Sequence, residues 1–569
     1  MYDRHSLLRV PVVALLLTCL TVGGCSLLGG GSDEPSGGGT TPRSLPNVAW
    51  KQASAAQVRD GGTLRLGIDV LPANLNPDHA SNSDSDLPRL LSPTRGSAVR
   101  ITADGGWEVD HAYAKSVKVV SRDPLTVEVV LNPKAVWQDG TPIRAADMAA
   151  YAKARDGSSQ AYEVSSTRGY DDIESVTPAG DDDTSYTVTF ERPIADWPRF
   201  VYPALPAKIA AKAKTFNRGF TDRAVPSNGP FVVSAIDRDQ GRLVMERNPR
   251  WWGATPKLES IVWQAASPQV QLKAVAAGEL DVARVPATLL SPTPELGDKA
   301  GLQIASGTEW TQLTMNGARG PLSDVEVRRA VAAALDRATF ARQAARGTDA
   351  GPVVMGSFIH VPGQAGYVDE SDRLKHGRAV AADLLDEAGW TLADGAKVRA
   401  RKGKSLRLVM PVPATTRTSQ ARAAAIVKQL GAVGIGVDLQ SVPDRDYFTE
   451  RIIPLDFDLA SFSYVATPFP IVETEALFHP IDSGQNVTGL DDSKLGDLWD
   501  KANRALSESD RAKRVRALDR RLFRDVPIVP LGVAPTVVAV RTGVVNVGAA
   551  QFLSPDWTVV GFRVAAKKD

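Results

Sequence analysis

The chain has 569 residues, too many for one hydrophobic core, and its 43% hydrophobic and 23% charged residues are ordinary for a globular protein. The 66 lysines and arginines nearly cancel the 65 aspartates and glutamates, which excludes a basic field that gathers nucleic acid and an acidic tail that mimics it. Two or more domains and a ligand that is not a polyanion are expected.

At the N-terminus, "MYDRHSLLR" with Arg4 and Arg9 precedes "VPVVALLLTCLTVGG", an apolar run too short to span a bilayer comfortably. Residues 1–24 therefore read as a secretory signal. It ends at "VGGC", Val22 to Cys25, which is similar to the lipobox of bacterial lipoproteins and marks Cys25 for lipidation. Cys19 would leave with the signal, so the mature chain would keep Cys25 alone, without an intrachain disulfide or a cysteine zinc site. The stretch "SLLGGGSDEPSGGGTTPRS" is a Gly/Ser/Pro tether unable to build a core, and 25–59 are assigned to lipidated Cys and tether. The expected location is the outer face of the cell membrane.

From Asp60 onward there is no tandem repeat, heptad array or second membrane segment. The first half alternates like strands in "TLRLGIDV", "TVEVVL", "YTVTF" and "RLVMER". Within it, "KAVWQDGTPIRAADMAAYAKA" carries two aspartates eight residues apart. Asp139-Gly140 is a turn dipeptide and the alanine-rich run after Pro142 is helical, so Asp147 falls in a first turn, where the helix dipole favours a carboxylate. The pair reads as scaffold, not as a catalytic acid and base. The second half changes pattern. "SDVEVRRAVAAALDRATFARQAARG" predicts one helix with Ser323 as N-cap, Glu326 closing a capping box, and an apolar stripe at Val327, Val331, Ala334, Leu335 and Ala338. "SLRLVMPV", "TSQARAAAIVKQL" and "IGVDLQSV" form a strand, helix and strand of a parallel βαβ unit, and "FDLASFSYV" supplies another strand. Ligands of open α/β sheets bind beyond the carboxyl ends of strands, which singles out 411–417 and 463–469.

Motifs for catalysis are missing. "GAVGIGVD" has the wrong glycine order for a dinucleotide fingerprint, no GxSxG, HExxH or P-loop pattern occurs, and His5, His79, His111, His360, His376 and His479 are scattered. Nothing orders a nucleophile against a base, so no enzyme activity, cofactor or metal is expected. Of the eleven tryptophans, Trp251-Trp252 reads as structural, whereas Trp310, where the pattern changes, suits either a core or a hinge beside a cleft.

The segment "VWQDGTPIRAADM" resembles a signature of the family 5 extracellular solute-binding proteins of ABC importers, the peptide-binding class. "GGTLRLGI" with "LNP", "SNGPFVVS", "ERNPRWWG", "AGELDVA", "MNGARGPLSDVEVRRAVAAALDR", "AADLLDEAGW" and "VPIVPLGV" follow in the family's order, covering roughly 60–540, in the manner of actinobacterial oligopeptide-binding lipoproteins. Arg144 departs from the Thr or Ser that often caps the signature helix. The resemblance implies an α/β, two-lobed periplasmic-binding-protein-like fold with an extra subdomain, its lobes joined by two hinge-crossing strands. Lobe I would be 60–307 with the return of 533–569, its inserted subdomain about 76–223, and lobe II 316–526.

The resemblance also implies partners: a peptide or peptide-like small ligand, an ABC permease complex, the membrane through the lipid anchor, no nucleic acid, and a monomeric state. The ligand would be lined by Asn82, Ser83, Trp310, Thr415, Ser463, Tyr464, Val465, Ala466, Thr467 and Phe469. In peptide-binding relatives a loop aspartate takes the peptide's amino group. Thr467 stands at that position here, and no acid occurs between Asp458 and Glu473. The runner-up reading is a cell-envelope scaffold or sensor that retains the fold without transport, and a hydrolase acting on envelope material is a distant third.

Overall fold

The structure, a computed structural model, describes residues 44–82, 86–180, 183–291, 294–481 and 483–564. The signal segment, Cys25 and Ser83 lie outside the described residues. Among the described residues seven strands form one mixed sheet in the order Ala300–Ala305, Thr536–Arg541, Val282–Arg284, Thr63–Ile68, Ser260–Ala265, Arg242–Arg247 and Phe231–Asp237. Thr63–Ile68 pairs in parallel with Ser260–Ala265. Its period-two pattern sends Leu64, Leu66 and Ile68 into the larger core beside Trp263 and Val282. The opposite sheet face receives the helix Pro268–Ala277, whose Leu272 and Val275 cluster with Ala283, Val537 and Ala539.

A four-stranded antiparallel sheet, Ala114–Arg122, Leu125–Leu131, Ser185–Phe190 and Ile173–Pro178 in spatial order, extends the same core. Leu125, Val127, Val129 and Leu131 point inward by strict alternation. The two aspartates of the signature segment are committed to this scaffold. Asp139 accepts from Thr141 N at 3.0 Å and Thr141 Oγ1 at 2.6 Å, and Lys208 pairs with it. The turn closes at Gly140, whose φ of +85° belongs to the left-handed region. Asp147, buried in the first turn of the helix Ala145–Arg155, accepts from Arg144 N at 3.0 Å, the Trp137 indole N–H at 3.0 Å and Ala207 N at 2.6 Å. One carboxylate thus satisfies a helix end, a buried tryptophan and a neighbouring helix start.

The second core contains the βαβ unit: Arg407–Pro413 and Gly436–Val442 pair in parallel, with the helix Arg417–Gly431 between them. Where one helix is predicted from Ser323 onward, two occur, Val325–Ala334 and Arg337–Ala344. Asp324 caps the first by accepting from Glu326 N at 3.0 Å, and Asp336 caps the second by accepting from Ala338 N at 3.1 Å. Ser323 belongs to the preceding tight turn and donates to Gly320 O at 2.8 Å. An aspartate caps as well as a serine. Asp324 and the aspartate inside "ALDRA" therefore override the Ser323 capping box.

The chain passes between the cores twice. Ala305 belongs to the larger core and Trp310 to the second, and the order reverses from Val533 to Val538. The two crossings run side by side, with Ala305 opposite Thr536 and Trp310 opposite Val533. Ala534 N donates to Glu309 O at 2.9 Å. A Cβ at Gly307 would lie 1.7 Å from Ala534 O, so only glycine lets the crossings come this close. Away from the crossings, Asp196 accepts from Val472 N at 2.9 Å, Arg199 pairs with Glu473, and Ala365 N donates to Asp104 O at 2.7 Å. Burial lifts the Asp196 carboxyl to about 6.

Candidate functional site

Strand Glu309–Met315 pairs on one side with Ile528–Val533 and on the other with Leu459–Ala460 and Ser463–Val465. Tyr464 faces Trp310 across the ladder, their rings 5.3 Å apart, and the Phe462 ring meets Tyr464 edge-on at 5.2 Å. Trp310 is buried and backs the half-buried Tyr464. Burial pushes the Tyr464 phenol up from its ordinary value, so it stays a neutral donor. Among the described residues the outer edge of Ser463–Val465 pairs with no strand. Val465 on that edge is 57% exposed, which leaves main-chain groups there open to a partner.

Downstream, Ala466 N donates to Thr308 O at 2.9 Å, and the Thr467 carbonyl accepts from Gln364 Nε2 at 2.9 Å. The Thr467 hydroxyl donates to Phe469 O at 3.2 Å. Trp310, Ser463, Tyr464, Val465, Ala466, Thr467 and Phe469 are therefore brought together beside the crossings. Two expected residues are occupied locally. Thr415 donates its hydroxyl to Asp444 at 2.7 Å, and hydrogen bonds from Thr415 and Thr416 hold that carboxyl below its usual range. Asn82 donates to Asn76 O within its own loop. Ser83 lies outside the described residues. The next acid along, Glu473, is paired with Arg199, so no free carboxylate follows the loop closely.

A cavity of about 280 Å³ opens on the larger core's side of the seven-stranded sheet. Its walls include Trp50, Trp263 and Trp557, with Arg89, Arg284 and Gln551 among the polar groups. Gln551 ties it to the crossings, donating to Gly307 O at 2.9 Å and Pro362 O at 2.8 Å, two residues before Gln364, which holds Thr467. Sequence reasoning missed this cavity. Its lining is gathered from positions 50 to 557, and no local pattern connects a tryptophan in the tether's wake with one near the C-terminus. A larger groove of about 720 Å³ lies elsewhere, along the strand Phe231–Asp237 and the turn at Asp139. It shares no residue with the strand-edge cluster. Among the described residues no group of His, Cys, Asp and Glu could hold a metal ion, and no helix is long and apolar enough to cross a membrane.

Residues 108–485 match the family model for bacterial extracellular solute-binding proteins, family 5 middle region. The chain is 33% identical over 574 residues to the oligopeptide-binding protein OppA of Mycobacterium tuberculosis H37Rv, covering 99% of this chain and 94% of that one. Among solved structures it is similar to the periplasmic EDTA-binding protein EppA, with a TM-score of 0.81 at 22% identity over 92% of this chain and 100% of the other. It is also similar to lactococcal OppA, which was solved closed around an endogenous peptide, with a TM-score of 0.70 at 17% identity over 88% and 100% of the two chains. Both neighbours are two-lobed α/β binding proteins, and the fold here is the same. The chain belongs to the family 5 bacterial extracellular solute-binding proteins.

Proposed function

We propose that this protein is a lipid-anchored, extracytoplasmic receptor that captures peptides or peptide-like solutes for an ABC importer. Lobe I is read as 60–307 with 533–569, including the subdomain at about 76–223, and lobe II as 316–526. The carrying observation is the unpaired edge of Ser463–Val465 beside the Trp310–Tyr464 pair. An extended peptide can join that edge as an added strand, with its main chain satisfied by the sheet and its side chains read by the aromatic rings. A hinge at the paired crossings around Gly307 allows the lobes to open and close on it. The relative named for oligopeptide binding, at 33% identity over nearly the whole chain, supports the choice of ligand class.

Native mass spectrometry of the purified protein tests this reading. Co-purified masses that fragment as peptides are expected; a purified protein that neither carries nor takes up any member of a random pentapeptide pool overturns it. The anchor rests on "VGGC" and the tether behind it. Cys25→Ala is expected to move the protein from the membrane fraction to the soluble one, and a variant retained as fully as its parent removes the anchor assignment.

A further inference from the structure

The cavity beside the crossings has chemistry of its own. Three indoles, Trp50, Trp263 and Trp557, meet in it with Leu66, Val282 and Val538. Arg284 reaches it because it lies two residues from Val282 on the same strand, so both side chains leave the same sheet face. Arg284 is exposed and has no acidic partner among the described residues. Arg89 also lines the cavity, with its guanidinium 5.2 Å from the Trp263 ring centroid. It donates to Gly67 O at 2.9 Å and pairs with Asp86 at 3.1 Å. Burial is the main cause that draws the Arg89 pKa down; Asp86 and Asp69 oppose the fall, while the charge of Arg284 adds to it. Both arginines line the cavity, and neither aspartate does.

Two further polar atoms lack partners. Gln551, 7% exposed, uses its amide N–H groups on Gly307 O and Pro362 O, and its carbonyl oxygen is left without a donor. Trp263, fully buried, has an indole N–H without an acceptor. Each unmet buried donor or acceptor costs on the order of 1–3 kcal/mol, and both atoms are sealed off from solvent, so the polar groups left to a ligand in the cavity are the arginines. Trp557 differs: its N–H is spent on Ser92 Oγ at 3.0 Å. At about 280 Å³ the cavity falls just below the range of roughly 300–1,000 Å³ typical of whole drug-sized ligands. It suits one residue of a longer ligand.

From this arrangement we infer that the cavity is a subsite for the carboxyl-terminal residue of a peptide, with the carboxylate on Arg284 and Arg89 and an aromatic or large apolar side chain among the indoles. This rests on the peptide reading above and deepens it. A peptide whose main chain lies on the edge of Ser463–Val465 would end where Gln551 and the crossings begin, and would be anchored by its carboxyl end.

The probe is N-acetyl-L-phenylalanine, compared with its carboxamide by quenching of tryptophan fluorescence at low salt. The acid is expected to bind at least tenfold more tightly than the amide. Arg284→Ala should abolish that difference and Arg284→Lys restore part of it, with far-UV circular dichroism unchanged in both. Equal binding of acid and amide, undetectable binding of the acid at millimolar concentration, or an Arg284→Ala protein that still prefers the acid overturns the subsite. The pentapeptide pool, offered as free acids and as amides, separates this inference from the reading beneath it. Capture of both pools alike removes the carboxyl subsite and leaves the peptide receptor standing. Discrimination of the small acid with no peptide captured removes the receptor reading, and with it the subsite's assignment to peptides.

Discussion

Two aromatic-bearing segments of the chain behave in opposite ways. The turn and helix of 134–154 and the strands and loop of 459–470 each lead aromatic side chains into the start of a helix. In the first, both carboxylates are matched within the scaffold: Asp147 takes three N–H donors, and Asp139 at the surface holds its own turn and Lys208. In the second, an outer strand edge is unpaired, Tyr464 is half-buried, and the loop carries no acid between Asp458 and Glu473. The lesson concerns where polar capacity is left over. A segment whose donors and acceptors are already matched can only hold the fold, whereas one with open main-chain groups beside a half-buried ring has something to offer a ligand.

The strongest way to break this contrast is at Asp147. Asp147→Ala leaves the buried Trp137 indole N–H and the helix-start N–H groups without their acceptor, at about 3 kcal/mol or more of stability. Urea unfolding should show a lower midpoint, while the folded fraction binds ligand with unchanged affinity. A large affinity loss at full stability would place this segment in the site after all.

Tyr464 should behave in reverse. Removing an aromatic anchor at the centre of a site often costs about 2 kcal/mol of binding, roughly thirtyfold in affinity. Calorimetry of Tyr464→Ala with a co-purified peptide is expected to show that loss, with a melting temperature little changed because the ring is only partly covered. Normal binding would move the site away from this strand.

Asp139 is the milder test on the scaffold side. Its bonds from Lys208 and then Thr141 hold its pKa at about 2, below the ordinary 3.8. A carboxylate depressed in the folded state stabilises fully above pH 3.8, and that contribution is lost as the pH falls toward 2. Because the group is well exposed, solvent screening limits its worth to about 1 kcal/mol or less. Asp139→Asn should lower neutral-pH stability by no more than that, flatten the pH dependence between 4 and 2, and leave affinity within a few-fold.

How far these roles could be read in advance depended on whether their cause is local. The Asp139-Gly140 turn, the helix after Pro142 and the βαβ unit of 407–442 were legible because turn residues and apolar periodicity act within a few positions. The break between Ala334 and Arg337 was not. An aspartate inside a helical pattern looks like a surface residue until its carboxylate turns back to cap Ala338 N. Trp310 was legible only as a choice between hinge and core, and it proves buried in the second core while backing Tyr464 across the crossing strand. The tryptophan-lined cavity was invisible, since Trp50, Trp263, Arg284 and Gln551 meet only through long-range packing.

The smallest expected effect is the one that defines the ligand loop. Thr467 stands where an aspartate would take a peptide's ammonium group, and its hydroxyl is turned to Phe469 O while its carbonyl is held by Gln364. Of the other acids near this region, Glu473 is engaged by Arg199 and Asp86 by Arg89, and Asp84 lies outside the described residues. Burying an ammonium group without an opposing charge costs several kcal/mol, so the amino end of a bound peptide should stay in water. Acetylating it should then change little. Calorimetry of a peptide ligand against its N-acetylated form, at the same salt and pH, is expected to give affinities within a few-fold of each other. A free amine that binds more than about tenfold tighter, some 1.4 kcal/mol, would mean that an acid reaches the amino end from another loop of the cleft. The contrast between the segments would then shift: the strand edge would still seat the main chain, but specificity for the peptide's end would come from a residue outside it.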